Sequence, residues 1–326
     1  MMKKLVLFSI AGLVLFFGIF ITHLPQAGAE EFPSKDIRWI VGGKPGGGVD
    51  LYARTVGRYM EKYMPEGVHV IVENRPGAGH IIANNMVYNA DPDGYTLGMP
   101  FMPGLYLMQI LRNQKYDMKK INWVGMIHHD AQCISISSKS KFKTLDDLKQ
   151  AEVVRVGIVG PAGEAAVLLA CKTLGIKAKY IAGHKNSKEA CLAAIRGDVD
   201  VVGFSYNATR KFVSKKQLIP VVLFGSEKRD SRIPDVPTLA ELGHPKINKI
   251  LGFYRPISAT PGIPEDRLAY LRDVVWKALH DEELLAWSKK VGRPVEPRTG
   301  EETEELMGLL MTKITAYKDF FGEFIK

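Results

Sequence analysis

The run Val41-Gly42-Gly43-Lys44-Pro45-Gly46-Gly47-Gly48-Val49-Asp50 joins an apolar segment, residues 37–41, to an amphipathic one, residues 51–64. The first is typical of a buried strand, and the second carries its apolar and aromatic residues at helical spacing. In such a glycine loop (residues 42–48) the backbone can approach a ligand closely, and N–H groups at a helix start attract anions. A tight turn without a ligand fits the glycines equally well. The spacing matches neither the P-loop nor G-x-G-x-x-G, so nucleotide binding is not supported.

Predicted strands and helices alternate along the rest of the chain. A βαβαβ unit with a parallel sheet comes first, a second α/β unit begins after about residue 127, and the C-terminal third is helical. The further strands are predicted at 68–72, 95–99, 153–159, 178–181, 199–204 and 218–224, and the further helices at 77–89, 163–174, 187–196, 264–280, from 281 and at 303–324. A short helix is also predicted to open at Thr144-Leu145-Asp146-Asp147, which resembles a capping box.

The two units predict an α/β protein of two lobes with a cleft between them. The C-terminal helices have no local strands to cover, so we expect them to pack back on the first lobe. Domain 1 is therefore assigned to residues 30–126 and 253–326, and domain 2 to residues 127–252. The chain is expected to cross between the domains at 122–135 and at 250–256. A length of 326 residues suits two domains of ordinary size.

The first 29 residues have the features of a secretory signal peptide. Lys3 and Lys4 precede an apolar stretch over residues 5–22, and Ala27-Gly28-Ala29 offers the small residues that a signal peptidase needs. We predict cleavage after Ala29 and a periplasmic mature chain. The apolar stretch is close to the roughly 18 residues that mark a spanning helix, so an uncleaved membrane anchor is the alternative.

The composition is that of an ordinary globular protein, with 46% hydrophobic and 24% charged residues, which excludes disorder. The net charge is +9, and removal of residues 1–29, which hold two lysines and no acid, leaves +7. A basic balance suits an anionic ligand, and the scatter of the basic residues argues against nucleic acid. Cys133, Cys171 and Cys191 allow one disulfide at most, between Cys171 and Cys191, and buried free thiols are the alternative.

Four further motifs follow the glycine loop in order. They are Glu73-Asn74-Arg75-Pro76-Gly77-Ala78-Gly79, Pro92-Asp93-Gly94-Tyr95-Thr96-Leu97, Pro234-Asp235-Val236-Pro237-Thr238 and Ala259-Thr260-Pro261-Gly262-Ile263-Pro264. Together they resemble the extracytoplasmic receptors of tripartite tricarboxylate transporters, also called Bug receptors. The resemblance covers essentially the whole mature chain. It implies a two-lobed periplasmic-binding-protein fold, type II-like, with the ligand in the interdomain cleft.

The same resemblance implies the ligand, the partners and the site. Ligands of the family are mostly di- and tricarboxylates, amino-acid dicarboxylates, aromatic acids and nicotinate-like compounds, no cofactor is implied, and the partner is a permease of one large and one small membrane subunit. Main-chain N–H groups and waters from two loops hold a carboxylate. The positions that match here are Gly43, Lys44, Gly46, Gly47, Gly48 and Asp50 in the first lobe, and Gly160, Pro161, Ala162, Gly163, His184, Lys185, Asn186, Phe204 and Ser205 in the second.

Departures from the family pattern are compatible with the implied binding mode but put the usual ligands in doubt. Gly42-Gly43-Lys44 replaces the family's Pro-Phe, Pro161, Glu164 and Ala165 stand in a loop usually rich in glycine and serine, and a family aspartate near residue 204 is not evident. Lys44 fits either a direct contact with a ligand carboxylate or a solvated position on the cleft rim. His184 and Lys185 fit either a polar pair in the site or a solvated loop.

A binding receptor is the function that the sequence favours, and we predict that the chain is not an enzyme. The alternatives are an exported enzyme or a membrane-anchored sensor that acts on a carboxylate. The chain lacks G-x-S-x-G and H-E-x-x-H motifs. His128-His129-Asp130 with Cys133 matches no known metal-ligand spacing, so no metal is expected.

Overall fold

Two five-stranded sheets with helices packed on them form the fold in the computed structural model, which describes residues 31–159 and 165–323. The predicted signal peptide and the candidate site residues Gly160, Pro161, Ala162 and Gly163 lie outside the described residues. The α/β class predicted from the alternation of elements is confirmed.

The elements of the described chain are the following. The strands are β1 Ile37–Val41, β2 Val70–Asn74, β3 Thr96–Gly98, β4 Asn122–Asp130, β5 Gln132–Ser137, β6 Val154–Gly157, β7 Ala178–Ile181, β8 Val201–Ser205, β9 Leu218–Phe224 and β10 Phe253–Ala259. The helices are α1 Gly48–Glu61, α2 Ile81–Tyr88, α3 Gly104–Leu111, α4 Leu145–Gln150, α5 Ala165–Thr173, α6 Ser187–Arg196, α7 Tyr206–Val213, α8 Pro245–Asn248, α9 Glu265–Leu279, α10 Glu282–Val291, α11 Gly300–Thr315 and α12 Lys318–Gly322, with a 3₁₀ turn at Ala78–His80.

The first sheet has the strand order β2-β1-β3-β10-β4. β1 pairs in parallel with β2 and β3, and β10 runs antiparallel to both β3 and β4. Ile37, Trp39 and Val41 of β1 are completely buried and Ile40 is nearly so. Apart from the exposed Arg38, this burial is expected of a strand in a parallel sheet, because helices cover both faces.

The second sheet has the order β7-β6-β8-β5-β9, with β6 parallel to β7 and β8, and β5 antiparallel to β8 and β9. The chain passes from the first sheet to the second between Asp130 and Gln132, and it returns after Phe224. Asp130 pairs with Phe253, and Gln132 pairs with Ser205. The first crossing therefore lies at the carboxyl ends of the parallel strands in both sheets. This is the edge at which open α/β sheets bind ligands.

The C-terminal helices pack back on the first sheet and its helices, as the sequence predicts. α9 contacts α1 and β4, and α11 contacts β4. The single helix predicted at 303–324 is wrong. α11 starts from a capping box at Thr299 and ends at Thr315, and a second helix follows. The break allows Phe320 and Phe321 of α12 to bury their rings, partly against α3.

Several other elements and contacts differ from the prediction. Three helices, α3, α7 and α8, were not predicted, and α1 begins three residues before its predicted start. β4 continues through Asp130, so His129 and Asp130 pair with β10 in the first sheet; the domain boundaries stay a prediction. All three cysteines are buried and free, so the possible bridge between Cys171 and Cys191 is wrong and the free-thiol alternative is confirmed.

Candidate functional site

The glycine loop ends in a helix start that no side chain caps. The N–H of Gly47 donates to the Lys44 carbonyl over 3.1 Å, which closes a turn, and Gly46 has a positive φ of 76°. Gly47 is the N-cap residue and makes no side-chain cap. Within the described chain, the N–H groups of Gly48, Val49 and Asp50 have no hydrogen-bond partner. Unpaired N–H groups at a helix start favour an anion.

The carboxylate of Asp50 stabilises the conformation of the glycine loop by hydrogen bonds. Its buried carboxylate accepts hydrogen bonds from the Gly46 N–H and from Nε of Arg54, both over 2.9 Å. Arg54 also donates to Asn74, and Asn74 donates to the Gly43 carbonyl. Burial alone would raise the pKa of Asp50, but these donors outweigh it and lower the pKa. The carboxylate is therefore ionised and already bonded within the loop.

His80 packs behind the loop. A Cβ on Gly42 would lie 2.5 Å from Nδ1 of His80, so no larger residue fits at position 42 without a shift. Burial lowers the pKa of His80 to about 4, which keeps the ring neutral at physiological pH. The His80 ring lies 4.9 Å from Phe101, and Phe101 lies 4.6 Å from Phe253. These three rings form a row of aromatic groups beside the glycine loop.

The remaining first-lobe candidate, Lys44, is exposed at the tip of the loop, as are Pro45 and Gly46. This exposure agrees with a solvated position on the cleft rim, which is one of the two alternatives for Lys44. Arg75, which belongs to the second strand-to-helix loop, donates to Glu73 over 2.9 Å and so forms a surface ion pair.

The described second-lobe candidates lie after β7 and at the end of β8, at the edge that faces the crossing. Oδ1 of Asn186 caps α6 by accepting from the Glu189 N–H, and Oγ of Ser205 caps α7. Lys185 is exposed, and Phe204 is buried. His184 is half-buried, and its Nε2 has no hydrogen-bond partner in the described chain. Among these candidates His184 therefore has an unpaired ring nitrogen to offer.

The buried carboxylate of Asp130 contacts residues at the facing edges of both sheets. It accepts from Nη2 of Arg255 in β10 and from Nδ2 of Asn207 in α7, both over 2.6 Å. Nε2 of His128 lies 3.0 Å from its Oδ1, which is close enough for an ion pair. Burial alone would raise the pKa of Asp130, but His128 and Arg255 outweigh it and hold the pKa well below its usual range. The described residues contain no group of three or more His, Cys, Asp or Glu able to hold a metal ion.

Two arginines that the sequence analysis did not single out approach the start of α1. Arg255 lies at a shift in the β10–β4 register, between Tyr254 and Pro256, and such irregularities re-aim side chains. A Cβ built on Gly48 would lie 3.8 Å from Nη1 of Arg293 and 4.0 Å from Nη1 of Arg255. The one sequence signal was an arginine inside the otherwise apolar run of β10, residues 253–259.

Comparison with known proteins connects this geometry to a family. The model of the tripartite tricarboxylate transporter family receptor matches residues 52–299. A curated relative from Cupriavidus necator, the "UPF0065 protein in gbd 5'region", is 30% identical over 225 residues, which is 67% of each chain. "Protein BugT" from Bordetella pertussis is 29% identical over 245 residues, 70% of this chain and 73% of BugT.

Solved structures agree in fold. A structure described as a periplasmic transporter has 25% identity and a TM-score of 0.72, with 90% of this chain and 97% of that chain covered. MatC from Rhodopseudomonas palustris with bound malate has 22% identity and a TM-score of 0.74, with 89% and 100% covered. A second R. palustris protein, with adipate, has 18% identity and a TM-score of 0.76, with 90% and 99% covered. The two-lobed periplasmic-binding-protein fold is thus confirmed, and because the family model spans well over half of its length, the chain belongs to the tripartite tricarboxylate transporter family of receptors.

Proposed function

We propose that this chain is an extracytoplasmic receptor that captures a small organic carboxylate and delivers it to the membrane permease of a tripartite transporter. The observation that carries the proposal is the uncapped start of α1, where three N–H groups stand without a partner in the described chain. A carboxylate placed there gains roughly 0.3–2 kcal/mol from the helix dipole. MatC with malate and the R. palustris protein with adipate support this class, because the same fold holds dicarboxylates in both.

The finer parts of the proposal follow from the sequence. The ligand is a di- or tricarboxylate or an aromatic acid, and it lies between domain 1 and domain 2 at the candidate residues of both loops. The chain is exported, with cleavage after Ala29. Among the residues from 31 to 159 and from 165 to 323, no helix has the length and apolar character to cross a membrane.

The enzyme alternative needs a nucleophile or an acid/base pair. Burial raises the pKa of both Cys171 and Cys191 to about 12, so neither supplies a thiolate near neutral pH. Burial also raises the pKa of Cys133. These thiols are core residues, so none of them is a candidate nucleophile.

Thermal unfolding of the purified mature chain tests the proposal. A carboxylate that binds the folded state stabilises it by mass action, by about 2.7 kcal/mol at a hundredfold excess over Kd. We expect at least one of malate, adipate, citrate and benzoate to raise Tm, and mass spectrometry to recover it unchanged. No rise in Tm with any of them at millimolar concentration argues against the receptor, whereas a chemically altered ligand favours the enzyme. The mass of the mature N-terminus separates the exported receptor from an anchored sensor.

A further inference from the structure

We propose that Arg255 and Arg293 form a two-arginine clamp that binds the acid group of the ligand directly, in the space that Gly48 leaves open at the start of α1. The inference rests on the proposed function and deepens it. The family resemblance implies a carboxylate held by main-chain N–H groups and waters. The clamp adds two side-chain charges, so the ligand must bring a full negative charge to this point.

The guanidinium groups of Arg255 and Arg293 both lie near one small volume beside Gly48. Nη1 of Arg293 and Nη1 of Arg255 lie 3.8 Å and 4.0 Å from the same Cβ position on Gly48. The unpaired N–H groups of α1 begin at this residue. A side chain at position 48 would occupy the volume, and glycine leaves it open. Two guanidinium groups and a helix start that converge on an open volume make a site for a small oxyanion.

Arg255 is fixed in place and incompletely paired. Only 7% of the residue is exposed, and its guanidinium lies between the rings of Tyr52 and Phe253, at 4.9 Å and 4.5 Å. Nη2 is bonded to Asp130, but the buried Nε has no hydrogen-bond partner. Asp130 also accepts a hydrogen bond from Asn207, and Nε2 of His128 lies 3.0 Å from its carboxylate. The positive charge of Arg255 is therefore only partly balanced, and a buried donor without a partner is costly.

Hydrogen bonds hold the backbone of Arg293 in place, whereas its guanidinium makes none within the described chain. Its N–H donates to the Ser288 carbonyl over 3.0 Å, and its own carbonyl accepts from Oγ of Ser288 over 2.7 Å. The next carbonyl, of Pro294, accepts from the Tyr52 hydroxyl. No hydrogen bond or ion pair to its guanidinium exists within the described chain.

The surroundings of Arg293 disfavour its charge. Burial contributes most, and the positive charges of Arg255 and Arg210 add to it, so the pKa of Arg293 is lowered. Tyr52, whose ring lies 6.0 Å from Cζ of Arg293, and Asp130 offset this cost only in part. An anion between the two arginines removes the repulsion and supplies the missing acceptor. The planar guanidinium groups match the fork of a carboxylate, which is the class of acid group we assign.

The test compares Arg293→Gln with wild type and with Arg58→Gln. Arg58 is exposed in the last turn of α1, so its loss removes the same charge from the same region without touching the clamp. Binding of malate, adipate and inorganic sulfate is measured by calorimetry and by thermal shift. We expect Arg293→Gln to weaken binding about 10- to 100-fold, because a hydrogen bond to a charged group is lost. Arg58→Gln should bind like wild type. The unliganded Tm of Arg293→Gln should not fall, which separates a binding role from a structural one.

Each outcome decides the proposal. Equal behaviour of wild type and Arg293→Gln toward all three probes, including no binding by either, overturns the clamp. If malate or adipate binds wild type and Arg293→Gln equally, the receptor function is supported and the clamp is refuted. Sulfate binding that depends on Arg293, with no response to malate or adipate, keeps the two arginines as an oxyanion site, overturns the assignment of a carboxylate and argues against the carboxylate receptor. Arg255→Lys, which keeps the charge next to Asp130 but loses the planar fork, should weaken binding as well.

Discussion

Gly48 is a glycine at a position whose backbone tolerates any residue. It is the first residue of α1, and an added Cβ would meet nothing closer than 3.8 Å. We predict that Gly48→Ala leaves the free energy of unfolding unchanged or raises it by up to about 1 kcal/mol, since alanine loses less backbone entropy in a helix. The methyl group intrudes between the two arginines, so affinity for malate or adipate should fall about tenfold, which calorimetry measures.

Gly308→Ala is the matched control for that change. Gly308 lies in α11, where a Cβ would meet no atom within 4 Å, so the same stabilisation is expected without a change in affinity. Wild-type affinity in Gly48→Ala would contradict the assigned position of the acid group.

At the scale of residues, the sequence predicts the loop of the site but not its charges. The glycine loop was found because glycines between a strand and a helix are a local pattern. Lys44 was singled out because it adjoins them, and the structure shows it exposed. Arg255 and Arg293 lie more than 200 residues further along the chain. They reach Gly48 through a register shift and a helix end, which no local pattern encodes.

At the scale of elements, agreement follows the strength of the local signals. β1, β7, β9 and α6 have the predicted bounds to the residue, because apolar runs end sharply at turn or cap residues. α7 was not predicted, since it is short and largely polar. β4 was read only as a crossing segment, because its sequence mixes two histidines and an aspartate with apolar residues.

Arg210 connects α7, which packs on the second sheet, to α10, which lies beside the first sheet. It lies in α7 after the second sheet, and its guanidinium donates to the carbonyls of Val291 and Gly292 at the end of α10, over 3.0 Å and 2.9 Å. α10 packs on α1 beside the first sheet. A cation that bonds the last carbonyls of a helix is stabilising. The bond also anchors the residue next to Arg293.

We predict that Arg210→Met lowers the free energy of unfolding by about 1–2 kcal/mol, because the two hydrogen bonds to carbonyls are lost. Affinity for malate or adipate should fall several-fold, although Arg210 is not assigned a contact with the ligand. Urea denaturation and calorimetry measure the two effects. Lys211→Met removes the same charge from an exposed position on α7 and should change neither quantity. Identical effects of the two substitutions would show that only net charge matters.

At the scale of the whole molecule, the alternation of elements was sufficient for the fold class but not for the way the sheets meet. β5 and β10 each enter an otherwise parallel sheet in the antiparallel direction, directly after the chain crosses over. This arrangement brings Asp130 within hydrogen-bond distance of Arg255 and Asn207, from opposite edges. Pairing between distant strands decides these contacts, and local periodicity carries no information about it.

The net charge of the molecule predicts how salt affects binding. The chain without residues 1–29 carries +7, so anions are attracted from a distance, and this attraction is screened as the Debye length falls from about 30 Å at 0.01 M to about 8 Å at 0.15 M. The contact itself includes the buried Arg255, which salt screens less. We predict that the association rate of malate or adipate falls several-fold over this range while the dissociation rate changes little. Stopped-flow tryptophan fluorescence can follow both, since Trp287 packs edge-on to Tyr52 at 6.5 Å. Arg293→Gln should raise mainly the dissociation rate. A dissociation rate that rises with salt as steeply as the association rate falls would place the acid group on an exposed surface instead.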